Sequence, residues 1–202
     1  MSQFATYEDL LAAVTADEGT EIINPATEEV VGVAPEGSVE ELNAAVERAV
    51  QAQKFFAKLS DSERCDLLLK AADAIEAAAE PLVELLSREQ GKPLNGPNAR
   101  FEVGACSAWL RATASFESPD YTAVDDDITA TVHYRPLGVV GAIGPWNWPM
   151  MITIWQIAPA LRMGNAVVVK PSEYTPLSVL ALIKVFNSVL RVAARDGVLR
   201  VP

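Results

Sequence analysis

From residue 128 the chain alternates strictly. Ile128, Ala130, Val132 and Tyr134 are apolar, and Thr129, Thr131, His133 and Arg135 between them are polar. That period of two predicts a strand with one apolar face. Further on the polar half disappears. Residues 139–143 and 166–169 are continuous apolar runs, each followed by a helical pattern: roughly 150–163, closed by Gly164, and 175–190, with Pro176 at its start. Fully apolar strands alternating with helices predict parallel strands covered on both faces, as one right-handed βαβ unit with an added helix.

Upstream the periodicity is mainly helical. Residues 20–34 (TEIINPATEEVVGVA) read as two short strands around an Asn24-Pro25 turn. Ser38 with Glu41 and Ser60 with Glu63 have the spacing of capping boxes. Leu42, Val46, Ala49, Phe56 and Leu59 follow the first at helical spacing; Leu67, Leu68, Ala71, Ile75 and Ala78 follow the second. Pro81 suits the first turn of a further helix, which Gly91 and Pro93 end. Asn95-Gly96-Pro97-Asn98 turns into a helix of small residues containing Phe101, Ala105, Ala108, Trp109 and Ala112, and residues 117–127 read as a polar linker ending in Asp125-Asp126-Asp127.

Composition narrows the function classes. A chain of 202 residues, half of them hydrophobic, buries a core without disulfides or a structural metal. Cys65 and Cys106 fall in helical segments and read as reduced, partly buried thiols of a cytoplasmic protein. His133 is the only histidine and lies on a polar strand face, which leaves no basis for a zinc site or a Ser-His triad. A net charge of −11 argues against nucleic acid and anionic membrane surfaces as partners. The start, MSQFATYEDLLAAV, lacks the basic region of a secretory signal. Residues 136–161 carry no charge and are long enough to span a bilayer, but Pro136, Pro145, Pro149 and Pro159, with Gly138, Gly141 and Gly144, interrupt any such helix. That segment reads as soluble core.

Candidate chemistry gathers at the ends of the apolar strands. Gly138, Gly141 and Gly144 are spaced by threes, unlike G-x-G-x-x-G, and by themselves mean close backbone packing. Lys170 follows the apolar run, Pro171 stops the strand, and Glu173 comes next in the loop. Ligands of open parallel sheets sit beyond the carboxyl ends of the strands. There a carboxylate can accept from ribose hydroxyls and an ammonium can donate to them or to a phosphate. Spacing alone leaves ordinary loop charges equally open. Asn147, framed by Pro145-Trp146 and Trp148-Pro149, is either a turn asparagine or an oriented amide able to donate to an oxyanion.

These motifs occur in one order: RPLGVVGAIGPWNWPMMITIWQIAPALRMGNAVVVKPSEYTP at 135–176, preceded by Asn24-Pro25-Ala26-Thr27 and Gly91-Lys92-Pro93. That order resembles the NAD(P)-dependent aldehyde dehydrogenase superfamily over nearly residues 20–190. The resemblance implies that Lys170 and Glu173 hold the adenosine ribose with Ser172 close by. It implies that Ile143, Pro145 and Trp146 line the cofactor cleft, and that the Asn147 amide stabilises a thiohemiacetal oxyanion. The Glu173 carboxylate would repel a 2′-phosphate, which favours NAD over NADP. The resemblance further implies that the full-length enzyme acts on a small-molecule aldehyde, oxidised to the acid through a cysteine thioester. The strand from residue 128 would join an oligomerisation sheet, making a homo-oligomer.

The expected fold is α/β: an N-terminal helical segment plus the first βαβ of a Rossmann-like parallel sheet, incomplete. Its expected parts are residues 1–118, the mainly helical part of a cofactor-binding domain; 119–135, linker and oligomerisation-type strand; 136–190, the first βαβ-α; and 191–202, an atypical tail. Three departures from the family pattern qualify the resemblance. Gln156 stands where family members often have a lysine linked to proton relay, and glutamine does not titrate. The nucleophilic cysteine, the general-base glutamate and the Gly-x-x-x-Gly helix start for the pyrophosphate belong to the family's later half; Cys65 and Cys106 match no nucleophile motif. The tail RVAARDGVLRVP replaces a proline-glycine turn, with Gly197-Val198-Leu199 resembling the strand that follows it, as expected of a reading frame disrupted or truncated near residue 190. The sequence therefore reads as the N-terminal part of an aldehyde dehydrogenase, inactive alone. The competing class is a non-catalytic remnant or an oligomerisation or interaction module.

Overall fold

A computed structural model of the chain describes residues 4–117, 121–125, 127–193 and 199–200. A short helix, α1 (Tyr7–Ala12), precedes an antiparallel hairpin of β1 (Thr20–Ile23) and β2 (Val30–Ala34). The hairpin turns where Asn24 Oδ1 accepts the Ala26 N–H at 2.9 Å, as the Asn24-Pro25 signal requires. Helices α2 (Val39–Phe56) and α3 (Asp61–Ala77) both open on the expected reciprocal capping boxes. Helix α4 (Ala79–Gln90) carries Pro81 in its first turn and ends at Gly91, whose φ of 73° is the left-handed conformation that a C-terminal glycine supplies. Helix α5 (Ala99–Ser115) follows the Asn-Gly-Pro-Asn turn.

The 117–127 linker reading is corrected by the structure. Tyr121–Asp125 form a strand, β3, antiparallel to β4 (Ile128–Val132), with Thr122 opposite Thr131 and Val124 opposite Thr129. Tyr, Thr and Val have high strand propensity, and a neighbouring strand offering hydrogen bonds outweighs the polar composition around them. Residues 118–120 and Asp126 of the expected linker lie outside the described residues. So do 194–198 and 201–202 of the expected tail, including two residues of its Gly-Val-Leu signal.

The parallel sheet has the order β5 (Val139–Ile143), β6 (Ala166–Lys170), β7 (Leu199–Arg200). Helix α6 (Pro149–Arg162) connects β5 to β6, and α7 (Pro176–Ala193) follows β6. The alternation of strand side chains divides β6 between two cores. Val167 and Val169 face the main core, shared with Ala142, α6 and α7, whereas Ala166 and Val168 pack with Ala45 and Ala49 of α2. This two-sided burial is the reason the strand has no polar positions before Lys170. Burying each valine contributes about 1.5–3 kcal/mol. On α2 the expected apolar stripe is rotated: Leu42 and Val46 are exposed, and the small residues Ala45 and Ala49 let the helix approach the sheet. Helices α3, α4 and α5 pack against α6 and α7 and complete the main core.

Candidate functional site

Strands β5 and β6 end side by side, and the candidate residues lie at their last positions, Ile143 and Lys170, and in the loops that follow, apart from Gln156 on α6. Ile143 pairs in register with Lys170, and the Gly144 N–H donates to the Lys170 carbonyl at 2.9 Å. A side chain at position 144 would meet Thr153 Oγ1 of α6 at 2.7 Å, so glycine is what allows the helix to start so close to the strand.

Lys170 ends β6 with its side chain exposed. Its Nζ lies 3.6 Å from Glu173 Oε2, and Ser172 Oγ lies 3.5 Å from the same oxygen. Ser172 is buried and accepts the Tyr174 N–H at 3.3 Å, which shapes the loop. Glu173's own backbone N–H, then the charge of Lys170 and the Ser172 hydroxyl, hold its carboxyl below the ordinary range. The three side chains line one wall of a groove of about 480 Å³, opposite Val39 and Leu42 of α2 and beside Pro176 and Leu180 of α7. A charged pair at the mouth of an apolar slot suits a ligand with a hydroxylated part and a flat apolar part.

The loop after β5 presents Trp146 and Asn147 at the surface, with Pro145 half-buried. Among the described residues the Asn147 side-chain amide has no hydrogen-bond partner, but its backbone is held tightly. The Asn147 carbonyl accepts from Gln90 Nε2 at 2.9 Å and Lys92 Nζ at 3.0 Å; the Trp146 carbonyl accepts from the same Gln90 nitrogen at 2.7 Å. Lys92 also pairs with the fully buried Glu102 at 2.5 Å and sits 3.8 Å from the centre of the Trp148 ring. Gln156 donates to the Ile143 carbonyl at 3.0 Å and thereby braces the end of β5.

Two buried glutamates were not singled out from the sequence. Glu102 accepts the N–H groups of Met150 and Met151, in the first turn of α6, at 2.9 and 3.2 Å. Glu89 accepts those of Leu177 and Ser178, in the first turn of α7, at 2.6 and 3.0 Å. These free N–H groups, which in many parallel sheets receive a ligand phosphate, are already satisfied by carboxylates from α5 and α4. Burial drives the Glu89 carboxyl up to about 7, against the pull of its donors. The available signal was an acid on the buried face of each helix: Glu89 lies i+3 and i+4 from Leu86 and Leu85, and Glu102 i−4 from Cys106.

Neither cysteine is placed for nucleophilic work. Cys106 is fully buried, and burial, then Glu102, drives its thiol well above the usual range. Cys65 is half-buried on α3, 4.0 Å from Asp61 Oδ2. Among the described residues no group of side chains has the makings of a metal site, and no helix is long and apolar enough to cross a membrane.

Residues 13–201 match the model of the aldehyde dehydrogenase family. Phenylacetaldehyde dehydrogenase of Pseudomonas fluorescens is 38% identical over 179 residues, 83% of this chain and 35% of the relative. A 3,6-anhydro-α-L-galactose dehydrogenase of Streptomyces coelicolor is 41% identical over 80% of this chain and 33% of its own length. Among solved structures, glyceraldehyde-3-phosphate dehydrogenase of Methanocaldococcus jannaschii, complexed with NADP, superposes with a TM-score of 0.85 at 29% identity, over 92% of this chain and 41% of that one. An NAD-dependent benzaldehyde dehydrogenase of Corynebacterium glutamicum superposes with a TM-score of 0.81 at 29% identity, over 93% of this chain and 41% of that one. The chain spans 33–40% of the length of the curated relatives it matches.

Proposed function

This chain belongs to the aldehyde dehydrogenase family, and on that premise we propose that it is the N-terminal, cofactor-binding part of an NAD(P)-dependent enzyme that oxidises an aldehyde to the acid through a cysteine thioester. The observation that carries this reading is the Lys170–Ser172–Glu173 cluster at the end of β6, opening onto an apolar groove lined by residues of α2 and α7. The residues fit a dinucleotide. Glu173, kept ionised by its neighbours, accepts from the two ribose hydroxyls, and Lys170 donates to the same sugar. The carboxylate disfavours a 2′-phosphate at that place, so NAD is the favoured cofactor over NADP. Ile143, Pro145 and Trp146 form the wall along which the cofactor runs toward Asn147. When bound, the nicotinamide supplies the hydride acceptor. Asn147 presents its amide N–H₂ to the oxygen that gains charge when a thiolate adds to the aldehyde, a contribution of about 10²–10³ in turnover for one such donor.

Gln156 bridges to a backbone carbonyl and takes no part in proton relay. The thiolate and the general base come from outside the residues described, because Cys106 is sealed in the core and Cys65 sits on α3. The enzyme is read as a cytoplasmic homo-oligomer, with the exposed β3–β4 hairpin as the natural place for a neighbouring subunit. A non-catalytic oligomerisation module is the second reading, favoured by the absence of an accessible cysteine at the site among the described residues.

Titration of NAD against this chain decides between them. NAD is expected to bind, and Lys170→Ala or Glu173→Ala is expected to weaken it about tenfold to a hundredfold, as for loss of a charge-assisted hydrogen bond. No measurable NAD binding by the folded chain would rule the proposal out in favour of the module. Aldehyde turnover by this chain alone would refute the assignment of nucleophile and base to residues outside it.

A further inference from the structure

Asn147 is gripped from behind by residues of a distant segment, and the grip has more connections than loop anchoring alone requires. Gln90 Nε2 donates to two successive carbonyls, of Trp146 and Asn147, which turns both peptide planes toward α4. Its own Oε1 is buried without a partner among the described residues, so the two donated bonds set its orientation. Lys92 Nζ adds a second bond to the Asn147 carbonyl, and its remaining capacity is spent on Glu102 and the face of Trp148. Glu102 closes the circuit by accepting the N–H groups of Met150 and Met151. One ammonium and one carboxylate thus connect residue 147 to residues 150–151, on either side of the buried Pro149 that begins α6. With the carbonyl turned inward and the following backbone pinned, the Cα–Cβ bond of Asn147 has one direction, and its amide is left outside at the surface.

We propose that Gln90 and the Lys92–Glu102 pair are positioning residues for the Asn147 amide, acting on its backbone so that the Cα–Cβ bond already points the side chain out of the loop. The inference rests on the reading of Asn147 as the oxyanion donor, but its test does not depend on turnover. Preorganised donors are effective because they do not reorganise as charge develops, so freedom in this loop translates directly into lost stabilisation.

The experiment is nitrogen-15 NMR on the full chain, with the Asn147 side-chain cross-peaks assigned by their loss in Asn147→Asp. Lys92→Met, Lys92→Arg and Gln90→Ala are compared with the parent, each with and without NAD. In the parent the backbone N–H of Asn147 is expected to be rigid, with an order parameter of about 0.85. Lys92→Met and Gln90→Ala are expected to lower it toward about 0.6. The Asn147 backbone cross-peak should shift with it, and Lys92→Arg should restore it partly. Lys92→Met leaves Glu102 buried without its cation, so if that variant does not fold, Gln90→Ala, which strands no charge, decides alone. Unchanged cross-peaks and order parameter in folded Gln90→Ala would overturn the proposal. Failure of the parent to bind NAD would instead remove the functional reading while the Asn147 signals still report on the clamp.

Discussion

Glu89 and Glu102 do the same structural task under different electrostatic conditions. Each fills a helix N-terminus from a neighbouring helix, but only Glu102 has a lysine at its other oxygen. Glu89 has the backbone donors of Leu177 and Ser178 and, among the described residues, no cation beside it, so burial dominates and its carboxyl rises from 4.5 to about 7. The native state therefore binds a proton that the unfolded chain releases near pH 4.5. Below that value both states hold the proton and the native state suffers no penalty. Between pH 4.5 and about 7 the unfolded chain has released its proton while the native state keeps it, so stability falls across that range and levels off once the buried group ionises. The shift corresponds to about 3 kcal/mol between the two limits. Glu89→Gln, measured by urea unfolding at pH 5 and pH 8, is expected to flatten this part of the pH dependence. A parent and variant that lose stability in parallel over that range would count against the assignment.

At the scale of elements, the approach of β5 to α6 is set by two glycines with opposite demands. A methyl group on Gly144 would meet Thr153 Oγ1 at 2.7 Å, and that hydroxyl is already committed to the Pro149 carbonyl at 2.6 Å. Three residues earlier, within β5, a methyl on Gly141 would have nothing within 4 Å. Gly144→Ala is expected to cost about 1–3 kcal/mol, as overpacking does, whereas Gly141→Ala should be close to neutral. Denaturation midpoints of the two variants check this, and equal losses would mean that the contact at Gly144 is not what sets the spacing. The same comparison tests the route to the site, since Gly144 carries the N–H that ties β5 to the carbonyl of Lys170.

At the scale of the molecule, charge and exposed apolar surface oppose each other. Among the described residues the β3–β4 hairpin is left uncovered: on one face Ile128 is 70% exposed and Ala123 and Ala130 are exposed, and on the other Val124 is 69% exposed. A two-stranded hairpin with an uncovered apolar face is marginal on its own and gains by pairing. A net charge of −11 resists that pairing, but only across distances that salt screens, about 10 Å at 0.1 M. The chain is therefore expected to self-associate with rising concentration, and more strongly as salt is added. Ile128→Lys should reduce the association. Light scattering that finds a monodisperse monomer at all salt concentrations would refute this.

How much of this was legible beforehand follows the range of each interaction. Capping boxes and the Gly91 stop involve residues within a few positions of one another, and the two-sided burial of β6 is written in its unbroken apolar run. Those the sequence by itself determined, together with the family and the residues at the two strand ends. The strand at Tyr121–Asp125 has the composition of a linker, because its order comes from pairing with β4 rather than from an apolar pattern of its own. The clamp on Asn147 and the two carboxylate caps were decided only by the tertiary structure. Glu102 reaches its donor across 48 residues of sequence and Glu89 across 88. A glutamate on a helix reads as solvated until packing buries it and leaves a helix N-terminus as its nearest source of hydrogen bonds.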